Sequence, residues 1–578
     1  MSGAQPITER SNARTQNIDV APASEIVTLL GRCDREIFEG WEGSQGINHG
    51  DVIATVSAVA DAASRILQEP ESSKIVLSGC GTSGRLGFMV VREFNAELTK
   101  QGVRPLYDYS IAGGDVALFE SREAPEDDPH AGVASLKKLT ENCQRVLYIG
   151  ITCGFSAPFV AGQLEHCMDN LGKFTPVLLG FNPVEMARNN KIEGWDKTFR
   201  DVAHRMEELK VERKSFILNP IIGPEPITGS SRMKSGSATK ILLESIFTRA
   251  HQQAFNASSK CPVAALLQAY SRVKDVVYTH TPQLTQLVTL GAHSLQAGGH
   301  IFYIGYDSLG IVGIIDASEC PPTYGAAFDD VRGFVQGGYE TLKNHEGDIS
   351  GQVEISIEYF KSIWLPQLDE KDLVVFLLRG NQNINEDDSD IFQSKAETVI
   401  IRLLDSSQNV PLNLPCKTVI DIPLGINNLL YQAQYHDQTV TFCTPFWEEL
   451  AFKWICNALT TGAHVLKGKI YQNYMVDVKV SNNKLFHRAV GIVQKFGNCS
   501  SEEAKTALLR AIHEVPDVPA QLDQAPVSTH ILQATSKDKV VPIAIVLSIL
   551  GCSLEEARKA LKQSPVIRTA IAQCLLQT

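Results

Sequence analysis

The sequence predicts an α/β protein: two tandem doubly wound parallel-sheet domains followed by a small C-terminal all-helical lid. Three observations carry this. Apolar runs without polar alternation, at 75–79, 145–152, 176–182 and 216–219, are separated by helical stretches, as in parallel strands covered on both faces. The first strand and its loop recur later in the chain, implying two similar domains. Beyond about Cys499 the pattern changes to short amphipathic helices.

In order, residues 1–45 read as a polar arm and one helix without chemistry of their own. An alanine-rich helix over 51–67 leads into the first strand, which breaks into Gly79-Cys80-Gly81-Thr82-Ser83-Gly84 before a helix starting near Gly84. Bare backbone N–H groups, two hydroxyls and a helix N-terminus suit a phosphoryl group. The same residues would also serve a tight strand-to-helix turn whose glycines only pack. No Lys follows the loop, which excludes a Walker A motif. The G-x-G-x-x-G spacing lacks an acidic ribose partner at the expected distance: Glu93 and Glu97 come early and Asp108 late. A small phosphorylated metabolite is therefore favoured over a nucleotide.

Further loops are expected at the carboxyl ends of the strands, where ligands of such sheets sit. Thr152-Cys153-Gly154-Phe155-Ser156 repeats the hydroxyl-and-glycine composition, and the loop 124–128 supplies Glu126. The stretch 223–234 carries Ser230, Ser231, Arg232 and Lys234 ahead of a helix over 238–250, with the two cations placed to balance a dianion. Taken singly, each is as readily a capped helix start. Together, three hydroxyl-rich loops around one sheet point to a shared phosphate pocket.

At a shift of 226, Gly79, Gly84, Gly87 and Glu93 match Gly305, Gly310, Gly313 and Glu319. Gly81 has become Asp307 and Ser83 has become Leu309, so the second loop should not hold phosphate. A later helix recurs at a shift of 213, 240–251 against 453–464, with Ser231-Arg232 replaced by Thr444-Pro445. The stretch 381–390 reads as an acidic surface loop, and Gly551 and Ser553 with Glu556 mark a helix stop and a capping box in the lid.

Composition sets the outer limits. With 65 acidic against 53 basic residues, the net charge is −12, which offers no footprint for nucleic acid. No apolar run reaches membrane length and the N-terminus has no signal core, so a cytoplasmic protein is expected. Thirteen cysteines without ligand spacing read as reduced, and neither metal nor cofactor is expected.

The motifs Ile7-Thr8-Glu9-Arg10-Ser11-Asn12, Gly81-Thr82-Ser83-Gly84-Arg85-Leu86-Gly87, the stretch 223–234, Asp316-Ala317-Ser318-Glu319-Cys320 and the stretch 476–484 resemble the sugar isomerase (SIS) domain superfamily. The likeness is to the branch holding the bacterial N-acetylmuramic acid 6-phosphate etherases and the animal glucokinase regulatory proteins. It implies an arm over 1–45, a phosphosugar-binding SIS domain over 46–285, a degenerate one over 286–499 and a lid over 500–578, as a monomer with an internal pseudo-dimer. It implies fructose 6-phosphate or fructose 1-phosphate as ligand, its phosphate held by Gly81, Thr82, Ser83, Thr152, Cys153 and Gly154. Glu126, Glu319 and Lys484 would contact the sugar, with Ser230 and Ser231 bordering the pocket. Two functions follow. One is a non-catalytic sensor that inhibits a glucokinase through a patch at Leu429, Leu430 and Tyr431, with the nucleus as a second compartment. The other is a lyase with Glu126 and Glu319 as its acid–base pair. A plain sugar phosphate isomerase stands well behind both.

Overall fold

The computed structural model describes residues 5–577 other than 101, 123, 193, 258–260, 381, 405–415, 426–428, 436–437, 445, 482 and 565; along 429–444 and at 483, 484 and 577 it describes the backbone alone. The first sheet comprises β1 (Ser73–Gly79), β2 (Tyr107–Ile111), β3 (Arg145–Ile151), β4 (Phe174–Leu179) and β5 (Phe216–Leu218), in the order β2-β1-β3-β4-β5. The second comprises β6 (Ile301–Gly305), β7 (Val331–Val335), β8 (Leu373–Arg379), β9 (Glu397–Leu404) and β10 (Thr418–Pro423), in the order β10-β9-β8-β6-β7. Counted by rank within each half the order is the same, and every pairing is parallel. Gly79 lies opposite Ile151 and Gly305 opposite Leu377, so the repeat carries Cys153 onto Arg379 and Gly154 onto Gly380.

The repeated glycines hold each sheet to the helix that follows its first strand. A Cβ on Gly79 would meet the backbone of Ser83 and Gly84 at 2.8 Å, and one on Gly84 would meet the Gly79 carbonyl at 2.8 Å. Gly305 and Gly310 are equally tight, at 2.5 Å and 2.8 Å from each other's backbone. Gly81 differs: its φ is +48°, and a Cβ there would meet Glu126 Oε1 at an ordinary 3.6 Å. Asp307 keeps the left-handed φ of +51°, a conformation Asp tolerates better than most residues.

Between the sheets run two helices, Lys234–Ala254 and Phe446–Leu466, buried over almost their whole length. Neither is apolar all round. Lys240 pairs with Glu244 and, at 2.7 Å, with Glu449 of the other helix. Lys453, its counterpart in the repeat, donates to the Arg232 carbonyl at 2.8 Å and the Ser237 hydroxyl at 3.0 Å. Burial pushes the Lys453 ammonium down to about 8 and the Glu244 carboxyl up to about 7. Charges this deep persist only when partnered, and stripping one member of such a pair costs about 3–5 kcal/mol.

Several local expectations shift. The first-loop helix spans Gly81–Lys100 because the Cys80 carbonyl accepts from the N–H groups of Ser83 and Gly84, which places Thr82 and Ser83 in the first turn. The helix expected at 238 starts at Lys234, because the buried Glu225 carboxylate accepts from the N–H groups of Lys234 at 2.8 Å and Ser235 at 2.9 Å. The acidic stretch 381–390 is not simply a surface loop: it contributes to the 3₁₀ segment Glu386–Gln393, in which buried Asp388 accepts from the Tyr306 hydroxyl at 2.8 Å. The lid has its own apolar core, including Leu508, Ile512, Val541 and Ile545, and its Ser553–Glu556 capping box is formed. That core reaches back to Val476, Val480 and Phe486, so a boundary at 500 passes through it. A boundary at 285 falls inside the helix Thr281–Gln296.

Because the glycine contacts are equivalent in the two halves, Gly84→Ala and Gly310→Ala should each destabilise by about 1–3 kcal/mol. Thermal denaturation should show comparable falls in Tm; a fall in only one would contradict equivalent packing.

Candidate functional site

The loops after β1 and β3, the 124–127 turn, the 228–232 loop, the helix corner at Glu319, the N-terminal arm and the first lid helix enclose one cavity of about 160 Å³. Gly81, Thr82, Ser83, Glu126, Thr152, Cys153, Gly154, Ser230, Ser231 and Glu319 all line it. Lys484 lies in the first turn of the helix Asn483–Gly497, but its side chain lies outside the described residues; Leu485 and Arg488 of the same helix reach the cavity.

Glu319 comes from the second half and sits on the loop of the first. Its Oε1 accepts from the Thr82 hydroxyl at 2.6 Å and from Arg85 Nη1 at 2.5 Å. Arg85, 1% exposed, also donates to the carbonyls of Leu118 and Glu120. On the opposite wall the Thr152 hydroxyl accepts from the Ser156 N–H at 3.2 Å, closing a turn in which buried Phe155 adopts φ +54°. Cys153 Sγ lies 3.6 Å from Ser83 Oγ, and burial pushes its thiol up to about 11, so it stays protonated and serves as a weak polar group rather than a nucleophile.

The cavity pairs its own charges. Arg488 of the lid helix donates to Glu9 of the arm at 2.9 Å, and both line the cavity. Arg232 donates to Asp316 at 3.1 Å and to Tyr324, Thr460 and Thr461, tying the first half's loop to the second half. Lys234 does not serve the cavity: fully buried, it pairs with Glu36 at 2.5 Å and donates to the Pro224 carbonyl, so it anchors the N-terminal helix. Arg232 precedes the helix and Lys234 opens it, so the two side chains part company, one to Asp316 and the other to Glu36.

The arm, polar and without a motif chemistry of its own in sequence, nevertheless lines the cavity through Thr8 and Glu9. Asn182 fixes Thr8 by accepting from its N–H at 3.1 Å and donating to its hydroxyl at 2.9 Å. Asn473, just before the lid helices, donates to the Asn12 carbonyl at 2.9 Å and accepts from Thr228 and Ser11. Arg85 and the arm stood inside recognised motifs without an assigned role. Arg488, one helical turn after Lys484, was the remaining signal.

Comparison with known proteins bears on the whole chain. Residues 58–168 match the model for the glucokinase regulatory protein N-terminal SIS domain, 278–467 that for the second SIS domain, and 472–571 that for the C-terminal lid domain. The chain is 41% identical to a glucokinase regulatory protein of Homo sapiens, over 99% of its own length and 93% of that protein, and 40% identical to one of Xenopus laevis, over 98% and 92%. It belongs to the glucokinase regulatory protein family. An N-acetylmuramic acid 6-phosphate etherase of Bacillus subtilis is 30% identical over 42% of the chain and 75% of that enzyme. The regulator role follows from the family, as do the two SIS domains and the lid.

In this family member the second half's loop is occupied by its own side chains. Arg379, where the first half has Cys153, donates to Ser308 Oγ at 2.5 Å and lies 2.9 Å from Glu448 and 3.7 Å from Glu449. Burial would raise the Glu449 carboxyl, yet Lys240 and Arg379 beside it hold it below its ordinary range. Glu93, the counterpart of Glu319, pairs with Arg92, and burial, reinforced by Glu449, pushes it up to about 7. Leu429, Leu430 and Tyr431 lie in the strand Leu429–Tyr435, which pairs antiparallel with Gln438–Thr444; their side chains are outside the described residues.

A carboxyl whose pKa is higher folded than unfolded costs stability as pH rises from its unfolded towards its folded value. Glu93→Gln should therefore raise Tm more at pH 8 than at pH 5 relative to the unsubstituted protein. Equal changes at the two pH values would show that Glu93 does not carry this titration.

Proposed function

We propose that the chain is a sugar-phosphate sensor that inhibits a glucokinase and binds fructose 6-phosphate or fructose 1-phosphate in the first-half cavity. The observation that carries the proposal is the composition of this cavity: hydroxyls and a helix N-terminus next to carboxylates, with Glu319 supplied across the seam. Thr82, Ser83, Thr152 and the backbone at Gly81 and Gly154 suit phosphate oxygens. Cys153 adds a neutral thiol beside them. Glu126 and Glu319 are acceptors for sugar hydroxyls, and Glu319 Oε1 is already held by Thr82 and Arg85. Ser230 and Ser231 border the sugar, with Lys484 and Arg488 on the lid side. The kinase partner is carried over from the names of the full-length relatives.

A ligand alters inhibition only if it binds the inhibiting and relaxed states with different affinity. Contacts drawn from the arm, both halves and the lid make such a difference attainable within one chain, which we take to act as a monomer. Glu126 and Glu319 lining one cavity, together with the etherase relative, favour one second reading: cleavage of the lactyl ether of a muramic acid phosphate.

Fructose 6-phosphate or fructose 1-phosphate should raise the Tm; saturation at a hundredfold over Kd stabilises by about 2.7 kcal/mol. Ser83→Ala should weaken the shift. Gly81→Asp, which copies the residue that the second half tolerates at Asp307, should abolish it without unfolding the protein. In a glucokinase assay the sugar phosphates should change inhibition by the unsubstituted protein and leave it unchanged with Gly81→Asp. Absence of any ligand-dependent shift in the intact protein would refute the sensor. Lactate release from N-acetylmuramic acid 6-phosphate, lost in Glu319→Gln, would establish the lyase instead.

A further inference from the structure

The chain just past β4 holds both the loop that follows β3 and the N-terminal arm. The Phe181 N–H donates to the Cys153 carbonyl at 2.9 Å, and one residue on, Asn182 Nδ2 donates to the Gly154 carbonyl at 3.2 Å. The C=O and N–H of one trans peptide point in opposite directions, so drawing the Cys153 carbonyl onto Phe181 aims the Gly154 N–H away from it. Gly154 lines the cavity, while Phe181 and Asn182 are fully buried and hold it from behind.

The same amide grips the arm. Asn182 Oδ1 accepts from the Thr8 N–H at 3.1 Å, and Nδ2 donates to the Thr8 hydroxyl at 2.9 Å. These partners fix which way the amide faces, because a backbone N–H only donates and a carbonyl only accepts. Asn182 is itself held by Asn219, whose Nδ2 donates to the Asn182 carbonyl at 3.1 Å. The joint is close: a Cβ on Gly154 would meet Thr8 Oγ1 at 3.3 Å. The next residue of the arm, Glu9, accepts from Arg488 of the lid helix. Gly154, Asn182, Thr8, Glu9 and Arg488 thus form one line of contacts from the β3 loop through the arm to the lid.

We propose that Asn182 is a positioning residue that transmits occupancy of the β3 loop to the arm, so that a sugar phosphate held at the Gly154 N–H tightens the arm at Thr8. The inference rests on the reading of the first-half cavity as a sugar-phosphate site and deepens it. Asn182 acts through Gly154 and Thr8 without lining the cavity itself. A phosphate on the Gly154 N–H stiffens that loop, and any opening of the arm must then break the Asn182 bonds against a loop that no longer gives. The arm is the part whose stability should report this, because local opening is set by the few bonds that hold a segment.

Amide hydrogen exchange of residues 7–15, followed in the full chain with and without fructose 6-phosphate, tests it. In the unsubstituted protein the sugar phosphate should slow exchange across the arm. Thr8→Val keeps the backbone N–H on Asn182 and removes the hydroxyl that accepts from Nδ2; Asn182→Ala removes the whole amide. In both variants the ligand should still raise Tm, with affinity lowered by about tenfold at most, the loss of one or two neutral hydrogen bonds, and arm exchange should no longer respond to it. Thr8→Ser, which restores the hydroxyl, should restore the response. A merely structural role for Asn182 would lower Tm in Asn182→Ala and leave the ligand-induced slowing in place. Where Asn182→Ala does not fold, Thr8→Val against Thr8→Ser decides. No ligand-dependent rise in Tm of the unsubstituted protein would refute the reading of the cavity and this inference with it. A rise in Tm without slower exchange in the arm, or slowing that survives Thr8→Val, would overturn this inference alone.

Discussion

The Glu319 carboxylate, reaching from the second half to Thr82 and Arg85 of the first, is the contact on which the site depends. Arg85 is almost wholly buried, so its charge has no recourse to water; without Glu319 only carbonyls would face it. One turn earlier on the same helix Asp316 holds Arg232, and burial raises the Asp316 carboxyl even with that guanidinium beside it. Two ion pairs therefore cross the seam within one helical turn, each with its cation in the first half and its carboxylate in the second. Either half alone would bury charge without a partner, so the first-half cavity belongs to the packed pair of domains.

The parallel-sheet architecture, the repeat and the separate lid were legible because each rests on local pattern: apolar runs, glycine punctuation and capping signals. The repeat also separates two uses of glycine that a single copy confounds. Gly79, Gly84 and Gly87 recur in the second half, and the first two are pressed against backbone in both copies; of the first loop's glycines Gly81 faces the cavity, and there the second half carries Asp307. What stayed hidden depends on strand register and helix rotation. That Arg379 stands where Cys153 does requires the β6–β8 pairing, and that Lys234 faces Glu36 rather than the cavity requires the true start of its helix. The arm's place at the cavity is hidden for the same reason, since its partners Asn182 and Asn473 are remote in sequence.

The divergence of the two loops has a physical sense beyond loss. Arg379 brings a fixed cation into the second-half loop, and Glu448, Glu449 and Lys240 complete a network that needs no external anion. An internal ion pair does not respond to metabolite concentration, so that half provides a rigid counterpart against which the first half's occupancy can register. Glu93 beside this network is not fully compensated, because burial, reinforced by Glu449, pushes its carboxyl up to about 7.

Where a change of shape can occur follows from the cost of the contacts it would break. The central helices carry Lys240, Glu244, Glu449 and Lys453 in full burial, and sliding them would leave charges unpaired at several kcal/mol each. The lid is attached differently. Its apolar core is separate from that of the body, and its ion pairs to the body, Arg488–Glu9 and Arg568–Asp19, have cations 23% and 30% exposed. The Arg488–Glu9 pair, partly exposed on both sides, contributes about 1 kcal/mol or less, whereas Asp19 is buried and holds Arg568 more firmly. A ligand that competes with Glu9 for Arg488 therefore meets a joint weaker than the buried pairs of the central helices, and its binding energy is best transmitted through the arm and the lid while the sheets stay where they are.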